Sequence, residues 1–262
     1  MQTTVTEYIQ AAADTSGGSS GSPLLTENGY AVGMVAGGYQ IQSLDFYLPL
    51  QRPRKHLQDW IDGRTIVRGT IQSNWLRETR ADCLTRGLDS QTFEEYCPDG
   101  NALLRASKVL PQGLCAGKVE EDDLLLQANR KNVTSLNEFE NLIDKGTGSS
   151  ITLLVWRHGQ DHEVMLDVKD LFTLVPYRIL EFAGSHFQDL RHEVAMAHDL
   201  PLRGVVLTFG RGSFNFARND IMITHLDNRS TPNLDTFIEV AQTIQGEQGR
   251  RTRTHSYAYV AR

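Results

Sequence analysis

The chain has 262 residues, 40% hydrophobic and 22% charged, long enough for two ordinary domains with separate cores. A net charge of -6 and a pI near 5.8 leave no electrostatic footprint for nucleic acid, and no apolar run is long enough to span a membrane. The first thirty residues hold no charged-then-apolar leader, and Cys83, Cys97 and Cys115 lack CxxC spacing, which predicts reduced thiols in an unsecreted protein. No metal and no cofactor is expected. Arg250, Arg251 and Arg253 read as a solvated turn.

In chain order, "TEYIQAAAD" is a short segment that leads into "DTSGGSSGSPLL" at 14–25. Gly and Ser at that density suit a flexible spacer, but the flanks are strands. Pro23-Leu24-Leu25 is followed by Glu27-Asn28-Gly29, a signal for a two-residue hairpin turn, and then by a small apolar return strand, Tyr30 to Ala36. "LDFYLP" at 44–49 gives a further strand. "QRPRKHLQDWIDG" predicts a short helix with Leu57, Trp60 and Ile61 on one side and Gly63 at its end. The glycine–serine stretch therefore lies inside one sheet system. It carries what a trypsin-like nucleophile loop needs, a glycine two residues before the serine and one just after it. In Gly18-Ser19-Ser20-Gly21-Ser22-Pro23, Ser20 would be the attacking hydroxyl, and the N–H groups of Gly18 and Ser20 would form the oxyanion hole.

Residues 122–145 and 219–246 repeat one pattern. An acidic residue and apolar strand (Asp123-Leu124-Leu125-Leu126; Asp220-Ile221-Met222-Ile223) precede an Asn-Arg turn (Asn129-Arg130; Asn228-Arg229). A helix follows, with Leu136 and Phe139 in one copy and Leu234 and Phe237 98 residues later in the other. Ser135 and Glu138 have capping-box spacing, and closing strands are expected at 149–159 and 253–262. Strand, turn, helix and strand at this size read as PDZ-like modules. Two motifs are rejected. His192 and His198 in "RHEVAMAH" are six apart, where a metal-binding helix needs four, so exposed histidines are expected there. "FGRGSFNF" at 209–216 lacks the Lys-Ser/Thr ending of a phosphate loop. The acidic run Glu120 to Asp123 reads as a charged turn.

The stretches "EYIQAAADTSGGSSGSP", "GYAVGMVAGG", "DFYLPLQRP", "RGTIQSNWL", "DLFTLVPYRILEFAGSHFQDL", "RGVV" and "LDNRSTPNLDTFIEV" resemble the nuclear HtrA-type serine proteases of fungi, over essentially the whole chain. The resemblance implies a mainly β fold with helices: the C-terminal part of a trypsin-like β-barrel at 1–50, a connecting helix at 51–64, and PDZ-like domains at 65–170 and 171–262. It also implies nuclear localisation and a role in protein quality control and cell death. The first module's groove-lining strand would begin at Gly69-Thr70-Ile71, facing a helix at 135–145 with Leu136, Phe139 and Ile143 on its apolar stripe. Helix residues of that kind serve as core more often than as ligand contacts. Where the family pattern has Glu-Gly-Asp and Asn-Gly, this chain has Glu121-Asp122-Asp123 and Asn129-Arg130, each replacing one permissive glycine with a residue that resists positive φ.

In that family the catalytic His and Asp lie upstream of the serine, and here no histidine precedes Ser20. A serine hydroxyl without a base is a poor nucleophile. The sequence thus predicts an N-terminally truncated member, inactive alone, that binds peptide or protein ligands and has a homo-oligomer or a full-length protease chain as further partners. The alternative is a fragment of an active serine endopeptidase whose upstream half is missing from the gene model.

Overall fold

A computed structural model describes residues 8–12, 17–39, 44–98, 100, 102–211, 214 and 221–247. The expected closing strand at 253–262, the arginine cluster at 250–253, Asp220 and most of 209–216 beyond Arg211 lie outside the described residues. The fold is mainly β with helices, as the sequence indicates.

Strands β1 (Ile9–Ala12), β2 (Pro23–Leu25), β3 (Ala31–Tyr39) and β4 (Leu44–Pro49) make an antiparallel sheet in the order β1-β4-β3-β2. The β2–β3 turn is longer than the sequence suggests. Thr26 pairs with Tyr30 across three residues, and only Gly29 takes a positive φ, +78°, the geometry of a three-residue hairpin loop. This sheet has almost no interior: Val35 and Tyr47 are its buried large apolar residues, and none of the hydrophobic clusters among the described residues draws on it. Helix α1 (Gln51–Ile61) follows. Its apolar side does not meet a core, since Leu57, Trp60 and Ile61 are 54%, 70% and 62% exposed.

The next block contains β5 (Gly69–Thr70), β6 (Ser73–Thr79), α2 (Arg80–Thr85), α3 (Ser90–Tyr96), β7 (Ala102–Val109), β8 (Leu124–Ala128), β9 (Lys131–Asn132), α4 (Leu136–Lys145), β10 (Ser150–Arg157), β11 (Gln160–Asp167) and β12 (Lys169–Asp170). The sheet runs β11-β10-β8-β7-β6, with β9 hairpinned to β8 and β5 paired to β12. The α4 helix is capped as expected, Ser135 Oγ accepting the Glu138 N–H, and it buries Leu136, Phe139 and Ile143 over the sheet. Helices α2 and α3 escaped the sequence reading, although each has a local start signal: Thr79 and Asp89 cap them by accepting the N–H of Asp82 and Thr92. The backbone at the two substituted glycine positions is left-handed, with φ of +74° at Asp122 and +62° at Arg130, and Asn129 beside the second is at +49°. Asp and Asn tolerate that region best. The acidic run is more than a charged turn: Asp123 is buried, and Arg157 holds both its carboxylate oxygens at 2.7 Å.

The last block has β13 (Leu180–Phe182), β14 (Ser185–Asp189), α5 (His192–Ala197), β15 (Val205–Phe209), β16 (Ile221–Ile223), β17 (His225–Leu226), β18 (Arg229–Ser230) and α6 (Leu234–Glu247), with a sheet in the order β13-β14-β15-β16. Its α6 helix packs Leu234 and Phe237 against Phe187 and Leu207. The β17–β18 turn residues are Asp227 and Asn228, both at positive φ, so the repeat is displaced by one residue from the Asn228-Arg229 alignment of the sequence. Ala128 and Leu226, the residues before the two turns, are then 98 apart, the same step as Phe139 and Phe237. The two blocks meet where Leu110 enters a cluster with Leu190, Ala195, Met196 and Val206, and where Lys108 bonds the Ala197 carbonyl at 3.2 Å.

Candidate functional site

The Ser20 loop belongs to the first sheet. Ser22 N–H donates to the Ser19 carbonyl at 3.0 Å and closes a turn in which Gly21 sits at φ +83°, the left-handed third position of a type II turn. Gly21 N–H donates to Val35 O, and Val35 N–H to Ser22 O, each at 2.9 Å, which pins the turn to β3. Gly18, at φ +101°, also has the conformation that glycine supplies. Ser20 is exposed at the apex. Neither the Gly18 nor the Ser20 amide donates to a backbone carbonyl of another described residue, and no histidine among the described residues bonds the Ser20 hydroxyl.

The second candidate site is a groove. Among the described residues strand β6 is a free edge of its sheet, and α4 lies alongside it. Between them is a cavity of about 80 Å³ whose walls include Gly69, Thr70, Ile71, Leu136, Phe139 and Ile143, all six residues expected there. That is well above the roughly 10–15 Å³ that admits one water. Four of the six, Ile71, Leu136, Phe139 and Ile143, are also members of the buried core, and Phe139 packs edge-on to Trp75 with centroids 5.3 Å apart. One expectation needs correction. The groove strand does not begin at Gly69: β5 ends at Thr70, Gln72 breaks the run at φ +61°, and the ladder strand starts at Ser73. Gly69 serves another purpose. A Cβ there would come within 2.5 Å of the Ile143 carbonyl oxygen, so only glycine lets the chain pass this close to α4.

Sequence reasoning missed the charged rim. Arg52 of α1 pairs with Glu140 and, at 3.1 Å, with Asp144; Lys55 reaches Asp144 at 3.0 Å; Arg68 reaches Glu140 at 3.6 Å. The other Asp144 oxygen accepts the Gly69 N–H at 2.9 Å. Burial raises the Asp144 carboxyl, but Lys55, Arg52 and the Gly69 amide outweigh it and hold the group below the ordinary value. Glu140 goes the other way, raised by burial in spite of Arg52 and Arg68. A second cavity of about 260 Å³ under α1 adjoins the groove and shares Arg52, Arg68, Leu136 and Glu140 with it. His192, expected on an exposed helix, is half-buried in the groove wall, and His56 lines the second cavity. Burial lowers the pKa of both; for His56, Arg52 and Lys55 add to the effect. No local sequence signal marks either residue, because the contact comes from another block in each case. Among the described residues no group of acidic, Cys and His side chains could hold a metal ion, and no helix is long and apolar enough to cross a membrane.

A sheet edge beside a capped helix, in a chain with two related blocks, defines a PDZ-bearing protein, and residues 173–247 match the family described as PDZ-like domain. Proteins named pro-apoptotic serine protease are similar over nearly the whole chain. Those of Vanderwaltozyma polyspora and Saccharomyces cerevisiae are each 39% identical over 95% of it, and that of Meyerozyma guilliermondii is 39% identical over 98%. The chain therefore belongs to the fungal HtrA-like pro-apoptotic serine protease family, and it spans 26% of the length of these relatives. A solved HtrA-type protease, AlgW with a decapeptide, aligns over 62% of this chain and 49% of its own, with a TM-score of 0.40 and 20% identity. A serine endoprotease from Yersinia pestis gives a TM-score of 0.34 and 23% identity over 62% of this chain and 52% of its own.

Proposed function

We propose that this chain is a peptide-binding part of an HtrA-like serine protease and that it does not cleave peptides by itself. The observation that carries the binding half is the convergence of Gly69, Thr70, Ile71, Leu136, Phe139 and Ile143 on one cavity beside the unpaired edge of β6. An extended peptide can add to such an edge through backbone hydrogen bonds while its side chains enter the cavity. The inactive half rests on Ser20, whose turn is formed but whose hydroxyl meets no imidazole among the described residues. Losing a base from a serine triad costs several powers of ten in rate. The division into 1–50, 51–64, 65–170 and 171–262, the nuclear location and assembly with a sister protease chain are parts of the same proposal. The test is hydrolysis of casein by the purified chain beside Ser20→Ala. Equal background rates are expected; activity lost on Ser20→Ala would overturn the inactive reading.

One feature favours a second reading, an endopeptidase completed by further polypeptide. The Ser20 turn keeps its glycines, and the sheet and α1 expose Leu25, Tyr30, Val32, Leu57, Trp60 and Ile61 to solvent. Six large apolar side chains exposed on one sheet and the helix that follows it suit a contact site. Co-expression with the rest of a relative's protease region, followed by labelling with a serine-directed fluorophosphonate, separates the readings: labelling of Ser20 only in the co-expressed sample supports the second.

A further inference from the structure

The two related blocks use the same position in opposite ways. Phe139 of α4 packs against Trp75 of β6 with centroids 5.3 Å apart, and Phe237 of α6 packs against Phe187 of β14 at 4.8 Å, which makes β14 the counterpart of β6. Ahead of β6 the chain turns away, and Gly69–Thr70 pairs with β12. Ahead of β14 it doubles back. Leu180, Glu181 and Phe182 pair antiparallel with Phe187, His186 and Ser185, so β13 lies on the side of β14 away from β15. The edge that is free in the first block, among the described residues, is covered in the second by the chain's own strand.

Strand β13 also fills the space beneath the helix. Residues opposite one another in an antiparallel ladder share a face, so Leu180 and Phe182 lie on the same side as Phe187. Phe182 stands edge-on to Phe237 of α6 with centroids 6.0 Å apart and is 6.4 Å from the Phe187 ring; Leu180 packs against the same cluster. Just before the strand, Arg178 reaches Asp235 in the first turn of α6 at 2.8 Å. Backbone pairing along a strand, with alternate side chains taken up by pockets, is how a docked peptide is held. The turn that returns β13 to β14 is Ala183-Gly184, with φ of +50° and +75°. Alanine is poorly suited to that region, where asparagine or glycine is at ease. The turn therefore gives the hairpin little, and the packing of Leu180 and Phe182 holds it shut.

We infer that the groove between β14 and α6 is a second binding site, for an extended segment with an aliphatic and an aromatic side chain two residues apart, and that Leu180–Phe182 is its resident occupant. While β13 is in place the second block takes no free peptide. This closure does not depend on the peptide-binding reading given for the first block.

The experiment uses the full chain, labelled for amide NMR, and a capped peptide copying residues 177–183. The wild type should show no shift along β14 or α6. Leu180→Ala combined with Phe182→Ala empties the groove of its apolar side chains, and this variant should bind the copied peptide at β14 and α6 at least about tenfold more tightly than the wild type. Gly184→Val, which places a β-branched residue at a left-handed φ, loosens the turn without touching the core and should also admit the peptide. Shifts at β14 and α6 in the wild type would overturn the closure. Their absence in both variants, with α6 still protected from hydrogen exchange, would overturn the site. A peptide selected on the full chain from a phage-displayed decapeptide library should shift β6 and α4 and leave β14 unmoved; shifts at β14 would again overturn the closure. Failure to select any peptide would count against the reading of the first block alone, with the second still judged by the copied peptide.

Discussion

The sheet of β1 to β4 and the sheet of β6 to β11 are both antiparallel, yet only one of them has an interior. The second is covered by α4 and encloses a cluster from Ile71 to Val168 in which Trp75, Leu104, Leu125, Phe139 and Leu153 are each at most 2% exposed. The first buries Val35 and Tyr47 and leaves Leu25, Tyr30 and Val32 in solvent. A ladder of hydrogen bonds contributes little net stability, because water satisfies the same groups in the unfolded chain; covering an apolar face supplies the driving force. The Ser20 turn is thus shaped locally but stands on a sheet with little stability of its own, tied to the rest through α1 and its ion pairs with Glu140 and Asp144.

Core truncation gives the widest separation between the two regions. Phe139→Ala should cost about 3–5 kcal/mol, whereas Val35→Ala should cost about 1 kcal/mol or less, because so little packs around it. Urea unfolding monitored by tryptophan fluorescence reads both, and equal losses would break the contrast. Asp123→Ala comes next. It leaves Arg157 short of its buried partner, and a loss of about 3 kcal/mol is expected, confined to the β8–β10 block in hydrogen exchange. Gly69→Ala should lose about 1–3 kcal/mol, since the added methyl must push α4 back at Ile143.

The tie between the regions should also respond to pH. Asp144 has a depressed folded pKa, so its contribution is present above the unfolded carboxylate value near 3.9 and is lost as pH falls through the lower folded value. Glu140, raised by burial, has the opposite linkage: its protonation favours the packed state and offsets part of the Asp144 loss. Hydrogen exchange of α1 should therefore accelerate below about pH 4 while β10 and β11 remain protected, and Asp144→Asn should bring part of that release to neutral pH. Protection of α1 that does not change between pH 6 and pH 3 would contradict the role given to these pairs. The smallest effect is expected at Ser20, exposed at its turn: Ser20→Ala should shift stability by no more than about 0.5 kcal/mol.

Much of the architecture was legible wherever one short stretch decides its own conformation. The strand at 44–49, the Ser135 cap, the 136–145 helix and the glycine-framed Ser20 turn are of this kind, and the six groove residues meet at one cavity. Helices α2 and α3 carry cap signals at Thr79 and Asp89, but their largely polar sequences lack the apolar stripe on which periodicity depends. The helix at 51–61 shows the converse. Its apolar stripe promises a core contact, and the described residues provide none for Leu57, Trp60 and Ile61. The charged rim and the placement of His192 were beyond local reading, because Arg52 meets Asp144 across 92 positions, and His192 reaches the groove through the packing of α5 beside Leu110.

Whether β6 and α4 hold an extended peptide can be read residue by residue from amide chemical shifts in NMR. Titrating a selected peptide into the labelled chain should move the signals of Ser73–Thr79 and of Leu136–Lys145, and leave those of Pro23–Leu25 in place. Shifts confined to the first sheet, or none at saturating peptide, would contradict the account.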